Sequence, residues 1–277
     1  MTFYKSLLCL FLLPACLFAE AEVFKDISYK ATAVTDYEKE RCKLDVYTVT
    51  SKAKSPVLLW FHGGSIQQGS KSDEKHVKKV AKHFVKHGVG FVAVNYRLSP
   101  KVKYPSYIED CASSIKWLIE NAEKYKFDPG KIFVGGHSAG GYLTLMSSFE
   151  NPSVKKVGLD LSKIAGLVPV AGQTVTHSTV RGESHIPKSI IIADEKSPLY
   201  SSAMMKLPTF LIAGSNDLPM RAEENQLLYA AIKKNNSNNR LGIYNDRDHG
   251  TIVSKLTVKD DPAFKDILEF ISNNQIQ

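Results

Sequence analysis

Residues 131–142, KIFVGGHSAGGY, decide the fold. The stretch predicts a buried strand that runs into Gly136-His137-Ser138-Ala139-Gly140, a match to G-x-S-x-G, and then the start of a helix. In this pattern a serine occupies a sharp turn between strand and helix, in a strained backbone conformation. Gly136 and Gly140 are needed because side chains there would collide across the turn. The turn exposes the Ser138 hydroxyl and directs the N-terminus of the new helix at whatever the serine attacks.

The pattern is weak by itself, since G-x-S-x-G arises by chance in roughly one chain in ten of this length. Whether it marks a catalytic serine depends on partner residues elsewhere in the chain.

Composition allows a large core: the chain has 277 residues, of which 43% are hydrophobic and 23% charged, as in globular proteins. The net charge is +8, but the lysines are scattered and no arginine-rich block occurs. This pattern favours a solvated basic surface, with at most a mild preference for anionic polymers, over a nucleic-acid site.

The N-terminus resembles a targeting segment. Residues 1–5 carry one positive charge, residues 6–18 are almost wholly apolar, and Ala19-Glu20-Ala21 fits a small-x-small cleavage site. The sequence therefore predicts a signal peptide over residues 1–21, a secreted or periplasmic protein, and no stable membrane insertion after cleavage. An uncleaved anchor is one alternative, and lipid anchoring at Cys16 is another.

The cysteines exclude a structural zinc site, because they are few and lack Cys/His spacing. Of the four, Cys9 and Cys16 lie in the predicted signal, so the mature chain keeps Cys42 and Cys111. In an exported protein these two could form a disulfide, but both also lie in patterns that suit a small buried thiol. The sequence leaves the two possibilities open.

Beyond residue 21 the apolar pattern alternates between strand and helix periods. Strands are predicted at residues 26–34, 42–49, 57–61, 91–94, 132–134, 164–170, 209–213 and 241–244. Helices are predicted at residues 72–87, 108–125, from the serine turn to about 149, 221–235 and 262–274. This alternation predicts a mostly parallel eight-stranded α/β sheet in one domain, residues 22–277. Residues 172–207 show neither period and are expected to form a small cap inserted after the sixth strand.

Candidate chemical groups follow the strands, and the carboxyl ends of parallel strands form the site of such sheets. A serine hydroxyl needs a base within hydrogen-bond reach, and a carboxylate fixes the tautomer of that base. Ser138, Asp217 and His249 each follow a predicted strand and are the expected nucleophile, acid and base. Asp217 could instead cap the next helix. Asp246 and Asp248 are rival acids, although they lie too close to His249 in sequence to orient it easily.

His249 has seven competitors among the histidines. His76, His83 and His87 lie on one predicted helix with polar neighbours and are expected to be solvated. His137 belongs to the serine turn, and its side chain is expected to point away from the side on which the Ser138 hydroxyl is exposed. The remaining three are His62, expected to anchor its loop by hydrogen bonds, and His177 and His185, which lie in the predicted cap.

The developing oxyanion needs backbone N–H donors, each worth roughly 3–4 kcal/mol. His62-Gly63-Gly64-Ser65 follows the third predicted strand, and glycines let the backbone approach a substrate. The expected donors are the N–H groups of Gly64, Ser65 and Ala139.

These features together resemble the α/β-hydrolase superfamily, in particular its hormone-sensitive-lipase-like and feruloyl/acetyl-esterase-like branch, which also contains kynurenine formamidases. The chain order Ser138, Asp217, His249 is the order of that fold. The resemblance extends over nearly all the chain after residue 21. The matching residues are Leu44-Asp45-Val46-Tyr47, His62-Gly63-Gly64-Ser65 with Gly69-Ser70-Lys71, Asn95-Tyr96-Arg97-Leu98, Tyr104-Pro105 with Asp110, Asp128-Pro129, Gly136-His137-Ser138-Ala139-Gly140-Gly141, Ser197-Pro198-Leu199-Tyr200, Asp217 and Asp248-His249-Gly250.

The resemblance implies hydrolysis of carboxylic esters with short to medium acyl groups, without a cofactor, and no metal is expected. The predicted export suggests a substrate outside the cytoplasm, such as an acylated polysaccharide. Family members usually have Gly-Gly-Gly or Gly-Gly-x-Trp after the loop histidine, whereas this chain has Gly63-Gly64-Ser65-Ile66. Backbone donors survive that change, but the wall of the acyl pocket does not carry over. The alternatives are an amidase or peptidase with the same three residues, and a non-catalytic binding module on the same fold.

Overall fold

The computed structural model describes residues 22–51, 53–187 and 189–276. The predicted signal peptide, residues 1–21, lies outside the described residues and stays a prediction. In the described part of the chain, no helix is both long and apolar enough to span a bilayer.

One eight-stranded sheet organises the chain, in the order β1-β2-β4-β3-β5-β6-β7-β8. Its strands are β1 (Glu22–Ser28), β2 (Lys43–Thr48), β3 (Ser55–Phe61), β4 (Gly90–Val94), β5 (Phe127–His137), β6 (Gly166–Val170), β7 (Phe210–Gly214) and β8 (Arg240–Tyr244). The pairs β1·β2 and β2·β4 are antiparallel, and every other neighbouring pair is parallel. The predicted mostly parallel α/β sheet is confirmed.

Helices cover both faces of the sheet, so its central strands are buried on both sides. The α-helices are α1 (Asp36–Arg41), α2 (Lys79–Lys86), α3 (Ser106–Asn121), α4 (Ala139–Met146), α5 (Pro152–Val157), α6 (Ser178–Glu183), α7 (Arg221–Ile232), α8 (Thr251–Ser254) and α9 (Pro262–Asn273), and a π-helical turn, Glu74–Lys78, precedes α2. Two apolar cores result, one on each face of the sheet. Side chains of β3 alternate between the two faces of the sheet, so that Leu59 packs in one core and Trp60 in the other. This explains the unbroken apolar run in the sequence.

The first strand was predicted too late in the chain, and the first helix was not predicted. β1 spans Glu22–Ser28 instead of residues 26–34, and α1 follows at Asp36–Arg41. Helix α1 buries none of its residues, so no apolar period marks it in the sequence. Its local signal is a capping box, in which Glu38 N donates to Thr35 Oγ1 and the Glu38 carboxylate accepts from Thr35 N.

Strand β5 is longer than predicted, because it begins at Phe127 and takes in Asp128-Pro129-Gly130, which was predicted as a turn. The register between β3 and β5 shifts between Ser55 and Val57, so this part pairs irregularly. The extra length leaves the serine turn itself where the sequence predicts it, directly after His137.

Cys42 and Cys111 are free thiols, and both are buried. Burial, followed by the charge of Asp110, raises the pKa of Cys42 to about 11, and burial also raises the pKa of Cys111. Neutral buried thiols of this kind are unreactive at neutral pH. Of the two possibilities that the sequence left open, the structure therefore has the pair of buried thiols.

Candidate active site

The turn between β5 and α4 holds Ser138 in a strained conformation, with φ +58° and ψ −118°. Its N–H donates to Val170 O at 2.8 Å, which ties the turn to the neighbouring strand. A Cβ added to Gly136 would lie 2.6 Å from the backbone of Gly140, and one added to Gly140 would overlap the carbonyl oxygen of Phe61. The two motif glycines are therefore required by the close approach of β3, β5 and α4.

Replacing Gly140 by alanine is expected to lower the free energy of unfolding by at least about 2 kcal/mol, because the new methyl group meets backbone that cannot move aside. Gly182→Ala is the matched control. Gly182 also lies in a helix, but a Cβ there meets nothing within 4 Å, so a gain of about 0.5–1 kcal/mol is expected. Urea unfolding measures both changes, and equal stability of the two variants would contradict this account of the turn.

A continuous chain of hydrogen bonds joins the three side chains that the sequence singles out. His249 Nε2 lies 2.8 Å from Ser138 Oγ, and His249 Nδ1 lies 2.6 Å from Asp217 Oδ1. Because a carboxylate only accepts, Nδ1 carries the ring proton and Nε2 is free to accept from the serine hydroxyl. This geometry can move a proton from the serine to the imidazole.

The Asp217 side chain is almost entirely buried yet keeps its charge. Burial tends to raise the pKa of this carboxyl, but the hydrogen bond and charge of His249, the Leu218 N–H and the Arg221 charge outweigh burial and hold the pKa below its ordinary value. Oδ1 accepts from Leu218 N at 2.7 Å as well as from His249. The carboxylate is therefore available to stabilise an imidazolium at His249.

The rival acids lie elsewhere. Asp246 is exposed, and the Asp248 carboxylate accepts from Gly250 N and Thr251 N in its own turn. Asp217 is not the cap of α7, because that helix begins after Met220 and has no side-chain cap. The structure brings Asp217, and neither rival, to His249.

His137 does more than the sequence suggests. Its Nε2 lies 2.8 Å from His249 O, and its ring centroid lies 4.8 Å from that of His249. Burial, reinforced by the charges of His249 and His76, lowers the pKa of His137 to about 3, so the ring is neutral and Nε2 donates its proton to the carbonyl. His137 thus supports the turn that carries His249, a role that sequence reasoning missed.

The other histidines lie in three places: the loop after β3, the region of α2, and the predicted cap. His62 is buried and held by hydrogen bonds, as predicted for a loop anchor. His76, His83 and His87 were predicted to be solvated, yet His83 is partly buried, with its ring centroid 4.4 Å from that of Phe264 and the two rings tilted by 57°. In the predicted cap, His177 caps α6 through its Nδ1, which accepts from Thr179 N, and His185 is exposed.

Residues 62–69, termed the donor loop, pass beside Ser138. A Cβ on Gly63 would lie 3.3 Å from Ser138 Cβ, and Gly64 and Ser65 both have positive φ, +109° and +57°. A Cβ on Gly64 would overlap the carbonyl of Gln68, so only glycine fits there. Ala139 is the first residue of α4, so its N–H has no acceptor within the helix. The three N–H groups expected to be donors therefore belong to backbone close to the serine.

A cavity of about 590 Å³ opens onto Ser138 and His249, within the usual size of small-ligand sites. Its wall combines donor-loop backbone with polar and apolar side chains, among them Gln68, Asp73, His76, Val77 and Leu218. Among the described residues, no group of three or more His, Cys, Asp or Glu side chains could hold a metal ion.

Comparisons with known proteins find one family model and several esterases. A family model described as BD-FAE matches residues 44–232, more than half of the chain. Esterase LipI of Mycobacterium tuberculosis is 37% identical over 94 residues, which is 34% of this chain and 29% of the relative. Carboxylesterase NlhH of the same organism is 30% identical over 143 residues, which is 50% of this chain and 40% of the relative. The chain thus spans less than half the length of these curated relatives.

The fold is also that of solved esterases. A structure described as a truncated form of a carbohydrate esterase from gut microbiota superposes with a TM-score of 0.71, covering 91% of this chain and 96% of the other, at 17% sequence identity. At that identity the likeness establishes the fold alone.

Proposed function

Because the chain belongs to the BD-FAE family, we propose that it is a serine carboxylic ester hydrolase with Ser138, His249 and Asp217 as its catalytic residues. The observation that carries the proposal is the hydrogen-bond chain from Asp217 through His249 to Ser138, at 2.6 and 2.8 Å. An ion pair with a purely structural role can also bring an aspartate and a histidine together. Such a pair does not need a serine in a strained backbone conformation hydrogen-bonded to the other nitrogen of the histidine.

The mechanism follows from the donors and acceptors of these residues. Ser138 Oγ attacks the ester carbonyl carbon while His249 Nε2 takes the hydroxyl proton, and Asp217 stabilises the imidazolium. The tetrahedral intermediate collapses as the C–O bond to the alcohol breaks and His249 returns its proton to the leaving oxygen. Water, deprotonated by His249, then attacks the acyl-enzyme, and the acid leaves as Ser138 recovers its proton.

The oxyanion of each tetrahedral intermediate is stabilised by backbone N–H groups of Gly64, Ser65 and Ala139. Support for this assignment comes from the donor loop, whose Gly63 lies against Ser138, and from the position of Ala139 at the start of α4. The N-terminus of α4 adds a partial positive charge to the same place. No cofactor or metal takes part in the proposed reaction.

The substrates we propose are short to medium acyl esters, either small molecules or acyl groups on polysaccharide. A secreted or periplasmic location, inferred from residues 1–21, supports a substrate outside the cytoplasm. We assign residues 172–207 as a cap of the single domain 22–277, because Thr179 Oγ1 donates to Ser65 O of the donor loop at 2.5 Å and so joins this segment to the site.

Active-site labelling tests the proposal directly. The protein is expected to hydrolyse p-nitrophenyl acetate and butyrate and to be inactivated by a fluorophosphonate, with the label on the peptide that contains Ser138. A panel of matched p-nitrophenyl esters and p-nitroanilides separates an esterase from an amidase with the same residues. A protein that neither turns over the esters nor takes the label would contradict the proposal and favour a binding module.

A further inference from the structure

Arg41 connects α1, the helix that was not predicted from the sequence, to both ends of the donor loop. It is the last residue of α1, and its guanidinium reaches three groups. Nε donates to Tyr96 O at 3.1 Å, and Nη2 lies 3.2 Å from Gly69 O and 3.3 Å from His62 Nε2. His62 begins the donor loop and Gly69 ends it, so one cation holds both.

The contact of Arg41 with His62 Nε2 and the contact of His62 Nδ1 with Gly63 O both require the proton to be on Nδ1. A guanidinium has five N–H donors and no acceptor, so His62 Nε2 must accept and Nδ1 must carry the hydrogen. His62 Nδ1 lies 2.7 Å from Gly63 O and donates to it. Burial, with a further contribution from the Arg41 charge, lowers the pKa of His62 to about 3, so the ring stays neutral at working pH.

The hydrogen bond to Gly63 O in turn orients a peptide plane. In a trans peptide the carbonyl of one residue and the N–H of the next point in opposite directions. Holding Gly63 O toward the His62 ring therefore directs the Gly64 N–H away from that ring. Gly69 packs over the same hydrogen bond, since a Cβ there would lie 2.5 Å from His62 Nδ1.

From these contacts we propose that Arg41 is a positioning residue: it fixes the Nδ1–H tautomer of His62, which orients the Gly63–Gly64 peptide so that the Gly64 N–H faces the oxyanion. The proposal rests on the proposed esterase function for its catalytic consequence. Its structural part, the tautomer of His62, is independent of catalysis. A role in packing alone would change stability without changing the tautomer.

Histidine tautomers give the first readout. In protein labelled with ¹⁵N-histidine, long-range ¹H–¹⁵N spectra are expected to show His62 as the Nδ1–H tautomer, assigned by its loss in His62→Gln. In Arg41→Met the Nε2–H tautomer is expected to gain population, because Gly63 O is then the one remaining contact described here that favours Nδ1–H. A His62 ring that stays Nδ1–H in Arg41→Met would overturn the proposal.

Kinetics give the second readout. Arg41→Met is expected to lower kcat for p-nitrophenyl butyrate about 10- to 100-fold with KM within about twofold, because a misdirected donor weakens binding of the transition state and spares the ground state. Arg41→Lys, which keeps a cationic donor, is expected to recover most of kcat. Lys39→Met is the matched control, and its kcat should stay within about twofold of wild type. Lys39 lies on the same helix and is exposed, and its ion-pair partner among the described residues is Asp36.

Each outcome decides one claim. A kcat of Arg41→Met no lower than that of Lys39→Met, or an Arg41→Lys variant as impaired as Arg41→Met, would overturn the positioning role. Thermal unfolding of each variant at the assay pH establishes that folded protein is compared. If the wild-type protein hydrolyses no ester, the proposed function fails, and the His62 tautomer still tests the structural claim.

Discussion

Replacing Ser138 by alanine is expected to lower kcat for p-nitrophenyl acetate by about 10⁵- to 10⁶-fold, to a rate near background. The hydroxyl is the only atom of the chain that forms the proposed acyl-enzyme, and alanine leaves His249 without a nucleophile to deprotonate. The turn should tolerate the change, since Ser138 keeps its strained backbone through the packing of Gly136 and Gly140 and the hydrogen bond to Val170 O. The measurement is kcat under saturating ester, together with the melting temperature.

Ser162→Ala is the control for this substitution. Ser162 is exposed and lies just before β6, at the opposite edge of the sheet, where its hydroxyl donates to Asp160 Oδ1. Its kcat should match that of the wild type. If Ser138→Ala kept more than about 1% of the wild-type kcat while folded, the nucleophile would have to be another group, and the catalytic assignment would be wrong.

The central sheet could be predicted from the sequence because burial on both faces marks a strand without ambiguity. The apolar runs at β3 and β4 fall where the structure has them, and the serine turn follows β5 as predicted. Strand order then brings the ends of β5, β7 and β8 to one edge, which is why Ser138, Asp217 and His249 could be grouped before their distances were known.

Polar contacts across long sequence separations could not be predicted where neither an apolar period nor the end of a strand marks the residues. Lys71 is 4% exposed and forms ion pairs with Asp45 and Asp26, yet in sequence it resembles any surface lysine. The same holds for Arg41, because a helix with no buried residue leaves no apolar period to read. The support that His137 gives to the His249 turn was missed, because only the fold shows that the carbonyl of His249 lies within reach of the His137 ring.

Replacing Asp217 by asparagine is expected to lower kcat by about 10³- to 10⁴-fold, because a neutral amide can neither hold the Nδ1–H tautomer of His249 firmly nor stabilise its imidazolium. The site itself should stay intact. Asparagine has nearly the shape of aspartate, and the Leu218 N–H that now donates to Oδ1 at 2.7 Å can donate to the amide oxygen. The loss should therefore fall on kcat, with little change in KM or melting temperature.

Asp246→Asn is the matched control, since it makes the same chemical change in the rival acid nearest the β8 end. Asp246 is exposed and has φ +56°, a conformation that asparagine adopts readily, so its variant should keep kcat within about twofold of wild type. If Asp217 is the acid, kcat of Asp246→Asn should exceed kcat of Asp217→Asn by at least about 500-fold. A larger loss of kcat in Asp246→Asn than in Asp217→Asn would show that Asp246 is the catalytic acid. The orientation of His249 would then be set by a residue of its own loop and not by a residue that follows β7.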